Sequence, residues 1–213
     1  MCADVQDLVR SHAVELLDAA VDPRRIAQSL EPIADDLTIP RVFLGASETP
    51  SAVLVYGLPI GGAALPGSVS VLEGFRRAAA GWQSVATESG FLDGHRLRSE
   101  RLEPAIGGHI LLLVHGRDTY PQWREAPQVW DFDGSSFKNL WRSERPIYEP
   151  YYEIGQGSVE IWHNDFHGEL PESRGRGSEL HFSIPSRRQA SFRFDSDYRT
   201  CSWTHGQDCL HDR

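Results

Sequence analysis

The chain writes part of itself twice. Ala52-Val-Leu-Val-Tyr-Gly57 returns as Leu111-Leu-Leu-Val-His-Gly116, Ser68-Val-Ser-Val-Leu-Glu-Gly74 as Gln128-Val-Trp-Asp-Phe-Asp-Gly134, and Gly81-Trp-Gln-Ser-Val-Ala-Thr87 as Asn139-Leu-Trp-Arg-Ser-Glu144. Gly57 and Gly116 lie 59 positions apart, Gly74 and Gly134 60, and Trp82 and Trp141 59. A register kept at three landmarks means one supersecondary unit repeated, because a unit of this size cannot bury its apolar face alone and needs a neighbour. It predicts Val55 equivalent to Val114 and Trp82 to Trp141, in a region over 51–205 that is mostly antiparallel β.

Ahead of the repeat the period is helical. Val5, Leu8, Val9, Ala13, Leu16, Leu17 and Ala20 form one stripe over residues 4–20. Asp22 followed by Pro23 reads as a cap and first helical position, and Ile26, Leu30 and Ile33 carry a second stripe that Pro32 kinks or ends. The segment 35–50 reads as the passage to the sheet. The fold class is therefore mainly β: antiparallel four-stranded units, propeller-like or as an open curved sheet, behind an N-terminal helical segment. The helical segment takes 1–40 and the β-repeat domain 41–213, with units at about 51–108, 109–157 and 158–205.

Asp133-Gly134 between Val129-Trp-Asp-Phe132 and Phe137-Lys-Asn-Leu-Trp141 signals a hairpin, and Gly74 is expected at the matching turn of the first copy. Each unit is expected to carry a long loop, at 58–67, 117–126 and 164–178. In the third, strands are expected at Val159–His163, Glu179–Ile184, Ala190–Phe194 and Tyr198–Trp203. The string Val129-Trp-Asp-Phe-Asp-Gly-Ser-Ser-Phe-Lys-Asn-Leu-Trp141 resembles the strand–turn–strand of FG-GAP-like repeats in bacterial periplasmic and surface proteins, over about 35 residues in each of two copies. The resemblance implies a propeller-type fold outside the cytoplasm. The Asp-rich calcium loop of better-defined members is absent.

A formal charge of −9 argues against a nucleic-acid partner, which needs a basic field. No apolar run is long enough to span a bilayer. Cys201 and Cys209 flank a short polar segment and are expected to form a disulfide, which favours an extracytoplasmic compartment. Cys2 sits where a mature lipoprotein carries its lipidated cysteine. The alternative is a cytoplasmic protein with three free thiols.

The strongest chemical signal is Trp162-His-Asn-Asp-Phe-His-Gly-Glu-Leu170. His163, Asp165, His167 and Glu169 alternate, so an extended segment puts four metal-ligating side chains on one face, a candidate site for a divalent metal cofactor. The string resembles the His-Thr-Asn-Asp-x-His-Gly block of 5′-nucleotidase-type metallophosphoesterases, which implies metal binding by Asp165 and His167. The threonine and the family's later Gly-Asn-His-Glu block are absent. His109 and His115 flank Ile110-Leu-Leu-Leu-Val114 with an offset that puts both on one strand face. No Gly-x-Ser-x-Gly elbow and no Gly-x-x-x-x-Gly-Lys loop occurs.

Aromatics supply the remaining lead. Tyr120 and Trp123 crowd the second long loop, and Tyr151 and Tyr152 follow the second unit, as exposed contacts for a protein or glycan. The reading that results is a non-enzymatic extracytoplasmic β-repeat protein, lipid-anchored through Cys2, that binds such a partner with its loops. The alternatives are a metal-dependent hydrolase centred on His163–Glu169, and a structural subunit of a surface assembly in which neighbours cover the open edges.

Overall fold

The computed structural model describes residues 2–32, 40–45, 50–60, 67–93, 95–103, 108–117, 124–143, 147–148, 151–155, 158–163, 187–193 and 201–204. The first apolar stripe is helix α1 (Cys2–Asp18), which buries Val9, Ala13 and Leu17 and leaves Leu8 exposed. Asp22 caps α2 (Pro23–Leu30), its carboxylate accepting from the Arg24 N–H at 2.9 Å, with Pro23 in the first turn where no N–H is required. Ile26 and Leu30 are fully buried.

Beyond α2, the described secondary structure is antiparallel β in three sheets, none closed on itself among the described residues. The first is a meander of β1 (Arg41–Gly45), β2 (Ser51–Ile60), β3 (Gly67–Ala78) and β4 (Gly81–Asp93). The second holds β5 (His95–Arg101), β6 (Ile110–Arg117), β7 (Arg124–Glu125), β8 (Gln128–Phe132), β9 (Phe137–Arg142) and β10 (Ile147–Tyr148). Arg117 faces Glu125 and Val114 faces Gln128, so β7 and β8 are one strand line broken at Ala126-Pro127, where proline cannot donate to the ladder. Ile147 faces Glu125 and Arg142 faces Gln128, so β9 and β10 form a second broken line. Six strands therefore make four lines, matching the first sheet. The third sheet is β11 (Tyr151–Gly155), β12 (Ser158–His163), β13 (Arg187–Arg193) and β14 (Cys201–Thr204), again in chain order.

Three apolar clusters stack these layers. Ala52, Leu54, Tyr56 and Leu58 pack beneath the helices with Val9, Ala13, Leu17, Ile26 and Leu30. Val53 and Val55, on the other face of β2, meet Ile110, Leu112 and Val114 of β6. Leu111 and Leu113 then meet Val159 and Ile161 of the third sheet. Because β2 and β6 are covered on both faces, they read as continuous apolar runs instead of alternating ones. The helices occupy the outer face of the first sheet, in the place a preceding sheet would take.

The four-stranded unit recurs, but the expected residue equivalences do not. Val55 and Val114 both lie in the cluster between the first and second sheets, and so on opposite faces of their own sheets. Trp82 packs under the helices, whereas Trp141 packs toward the third sheet. Pairs 60 apart invert as well, Val69 packing toward the helices and Val129 toward the third sheet, so a match in composition is not a match in register. Each sheet also begins one strand earlier than the sequence periodicity suggests. β1 forms inside the segment read as a passage, starting directly after Pro40, and the strand expected at 179–184 lies outside the described residues.

Gly74 is not at a turn. It sits within β3, paired with Val53 and Ala86, and the β3–β4 turn falls at Ala79-Ala80. A β-carbon at Gly74 would lie 2.7 Å from Phe132 Cζ and closer still to Cε2. The glycine is there because a ring of the second sheet rests on its backbone.

The Asp133-Gly134 hairpin does form, with Phe132 facing Phe137 and Gly134 at a φ of +89°. Asp133 accepts from the N–H groups of Ser135 and Ser136 at 2.7 and 2.8 Å and from both serine hydroxyls. Partial burial pushes its carboxyl up, but these four bonds outweigh that and hold it at about 2, below the ordinary 3.8. Since the folded value is depressed, the stability it contributes is complete above the unfolded value. It is lost as pH falls from about 4 through about 2. Denaturation midpoints measured across that window should fall less steeply with pH in Asp133→Ala than in the native chain.

Candidate functional site

Strand alternation puts Leu111, Leu113 and His115 on one face of β6, the face toward the third sheet, and His109 immediately precedes the strand in the same phase. The two histidines end up at opposite ends of that apolar seam, as their spacing predicts. Each finds a carboxylate on the neighbouring strand line. His109 Nδ1 lies 3.0 and 3.1 Å from the oxygens of the buried Asp131 on β8. His115 Nδ1 lies 2.7 Å from Glu125 Oε2, with both side chains only 7% exposed.

Tyr152 of β11 completes the second group. Its hydroxyl donates to the same Glu125 oxygen at 2.8 Å, and its ring stacks obliquely on His115 with centroids 4.3 Å apart. The carboxylate fixes the imidazole with the proton on Nδ1, so Nε2 is the nitrogen left to meet anything new, and it has no partner among the described residues. The group is a tie between sheets, because Tyr152 belongs to the third sheet and the other two to the second. It stands where β6 ends and residues 118–123 begin.

Of the sequence-predicted residues, Tyr152 is thus a half-buried packing residue on a strand, where an exposed aromatic was expected. Tyr151, His163 and Cys201 fall on β11, β12 and β14, and Cys2 opens α1. Tyr120, Trp123, Asp165, His167, Glu169 and Cys209 lie outside the described residues. Among the described residues no group of three or more His, Cys, Asp or Glu is placed to hold a metal ion. Sequence reasoning passed over Glu125 and Asp131, which are diagonal strand neighbours of the two histidines. Only the register of β6 on β7 and β8 reveals them, and the connection at 118–123 hides that register from the sequence.

A second buried polar group lies under α1. Glu73 on β3 is fully buried and accepts from Arg10 Nε at 2.7 Å, from Thr87 Oγ1 at 3.1 Å and from the Ser84 hydroxyl. Tyr56 beside it is buried, with a hydroxyl that makes no hydrogen bond among the described residues. Burial, and then the Glu73 charge, hold that phenol well above its ordinary value, so it remains neutral. Arg10 anchors the helix to this carboxylate across 63 positions of chain.

No protein family, no curated protein and no solved structure matches this chain.

Proposed function

We propose that this chain is a non-enzymatic binding protein that holds a protein or glycan partner on connections carried at one rim of its stacked sheets. The observation behind this reading is topological: residues 61–66, 118–123 and 164–186 each join the second strand of a sheet to the third. In antiparallel units of the same order stacked face to face, equivalent connections leave at the same end. On this reading Tyr120 and Trp123 belong to the same rim as the His163–Glu169 segment. Flat aromatic rings give large contact area for little lost side-chain freedom, and a rigid strand frame keeps them in place.

The extracytoplasmic compartment is part of the proposal and rests on Cys201 and Cys209, with Cys2 as the anchor. No helix among the described residues is long and apolar enough to cross a membrane. The test is substitution at the rim. Binding is scored on a glycan array and by crosslinking to surface proteins of the source cell. Trp123→Ala and His167→Ala are each expected to weaken capture about tenfold or more while shifting stability by less than about 0.5 kcal/mol, as exposed positions do. If both substitutions unfold the protein, these side chains belong to the core and the rim reading fails.

A further inference from the structure

The edges of the three sheets are guarded unequally. Arg41 on β1 donates to the Ser99 carbonyl of β5 at 3.1 Å, and Arg101 on β5 donates to the Leu44 carbonyl of β1 at 2.6 Å, so these two edges cover each other. β9 carries Lys138 and Arg142, and β11 and β14 are only five and four residues long. β4 is different. It is 13 residues long, and from Trp82 to Gly90 its one charged residue is Glu88. It pairs with β3 alone, and the Asp18 carboxylate, 2.9 Å from the Trp82 N–H, reaches it only at its first turn. An edge of this length and neutrality is a template for another strand.

We propose that β4 is the seam of a dimer, in which two copies of this chain pair edge to edge, antiparallel, about a twofold axis between Val85 and Ala86. Val85 is an extra residue: Phe75 faces Ser84 and Gly74 faces Ala86, leaving Val85 as a bulge. The bulge shifts side-chain alternation by one. Gln83, Ala86 and Glu88 share a face with Arg76, Gly74 and Leu72, while Trp82, Ser84, Thr87 and Ser89 share the other with Arg77, Phe75, Glu73 and Val71. Twofold pairing at the bulge sets Gln83 against Glu88 of the second copy and Ser84 against Thr87, within the stretch beyond Trp82 that Asp18 leaves open. Each of these pairs then lies on one face of the joined sheet. A straight foreign strand lacks the compensating step and loses register halfway, so the second copy is the fitting occupant.

Charge supports the same register. Arg76 is exposed, forms no ion pair among the described residues, and stands next to Gln83 on β3. Glu88 of the second copy falls one strand beyond Gln83, about 10 Å from Arg76 between backbones, within reach of two long side chains. The symmetry makes two such attractions between molecules that otherwise each carry −9.

Sedimentation velocity on the purified chain at micromolar concentration tests this. The native chain is expected to dimerise, and Glu88→Arg and Arg76→Glu are each expected to weaken the dimer about tenfold, because two symmetry-related contacts turn repulsive at once. The charge-swapped double variant should recover it. Thermal unfolding of each variant separates lost pairing from lost folding, and the double variant still decides the matter if one single variant fails to fold. A native chain that stays monomeric, or a dimer indifferent to both charges, overturns the proposal.

Discussion

Gly74→Ala is expected to destabilise the protein by about 2–3 kcal/mol, the reverse of what alanine does at an ordinary strand glycine. In most strands the added methyl reduces the entropy of the unfolded chain and packs on a neighbour. Here it would run into the Phe132 ring, which is fully buried between the first and second sheets and lies 4.8 Å from Phe137, centroid to centroid. The ring cannot retreat without opening that seam. Phe132→Leu removes the obstacle at its own cost, so the double variant should cost less than the sum of the two by about 1 kcal/mol or more in a double-mutant cycle of denaturant unfolding. A Gly74→Ala chain as stable as the native one would show that the first two sheets do not pack as described.

Arg10→Ala is expected to cost about 3 kcal/mol, well beyond a surface arginine, because it strands a fully buried carboxylate. Glu73 keeps the hydroxyls of Ser84 and Thr87, but these are neutral donors and do not offset the loss of a cation. Adding Glu73→Gln to Arg10→Ala should recover part of the loss, since the penalty belongs to the unpaired charge. Asp7 supplies the contrast. It also touches Arg10, at 2.7 Å, yet its side chain is 69% exposed, and Asp7→Ala should change stability by less than about 0.5 kcal/mol. Equal effects at Asp7 and Arg10 in denaturant unfolding would contradict the buried anchor.

Legibility in the sequence followed the range of the interactions. The two helices, the Asp22–Pro23 start and the Asp133-Gly134 hairpin are decided within a few residues and are found. Ala20 of the first stripe nevertheless falls beyond α1 at a φ of +52°, and Ile33 of the second lies outside the described residues. The four-stranded antiparallel unit was also legible, since apolar runs bounded by glycine turns recur. Register was not. A bulge at Val85, a proline break at Pro127 and unequal turns each shift the count by a residue or two, and the 59-residue period absorbed those shifts silently. Gly74 shows the cost: its composition looks like a turn, and its cause is a ring from another sheet. The His115–Glu125–Tyr152 group was half visible. The histidine face followed from spacing, while its carboxylate and phenol come from other strands and, for Tyr152, another sheet.

Whether the three equivalent connections share one rim is read out by a pair of intramolecular distances. Spin labels are placed at Gly62→Cys and Tyr120→Cys, and at Tyr120→Cys and His167→Cys, in a chain whose native cysteines are replaced. Neighbouring sheets stack about 10 Å apart, so both pairs should give short separations, about 10–20 Å once label length is included. Connections at opposite ends of strands of about eight to ten residues would be about 30 Å apart or more, and a separation of that size for either pair would contradict the shared rim.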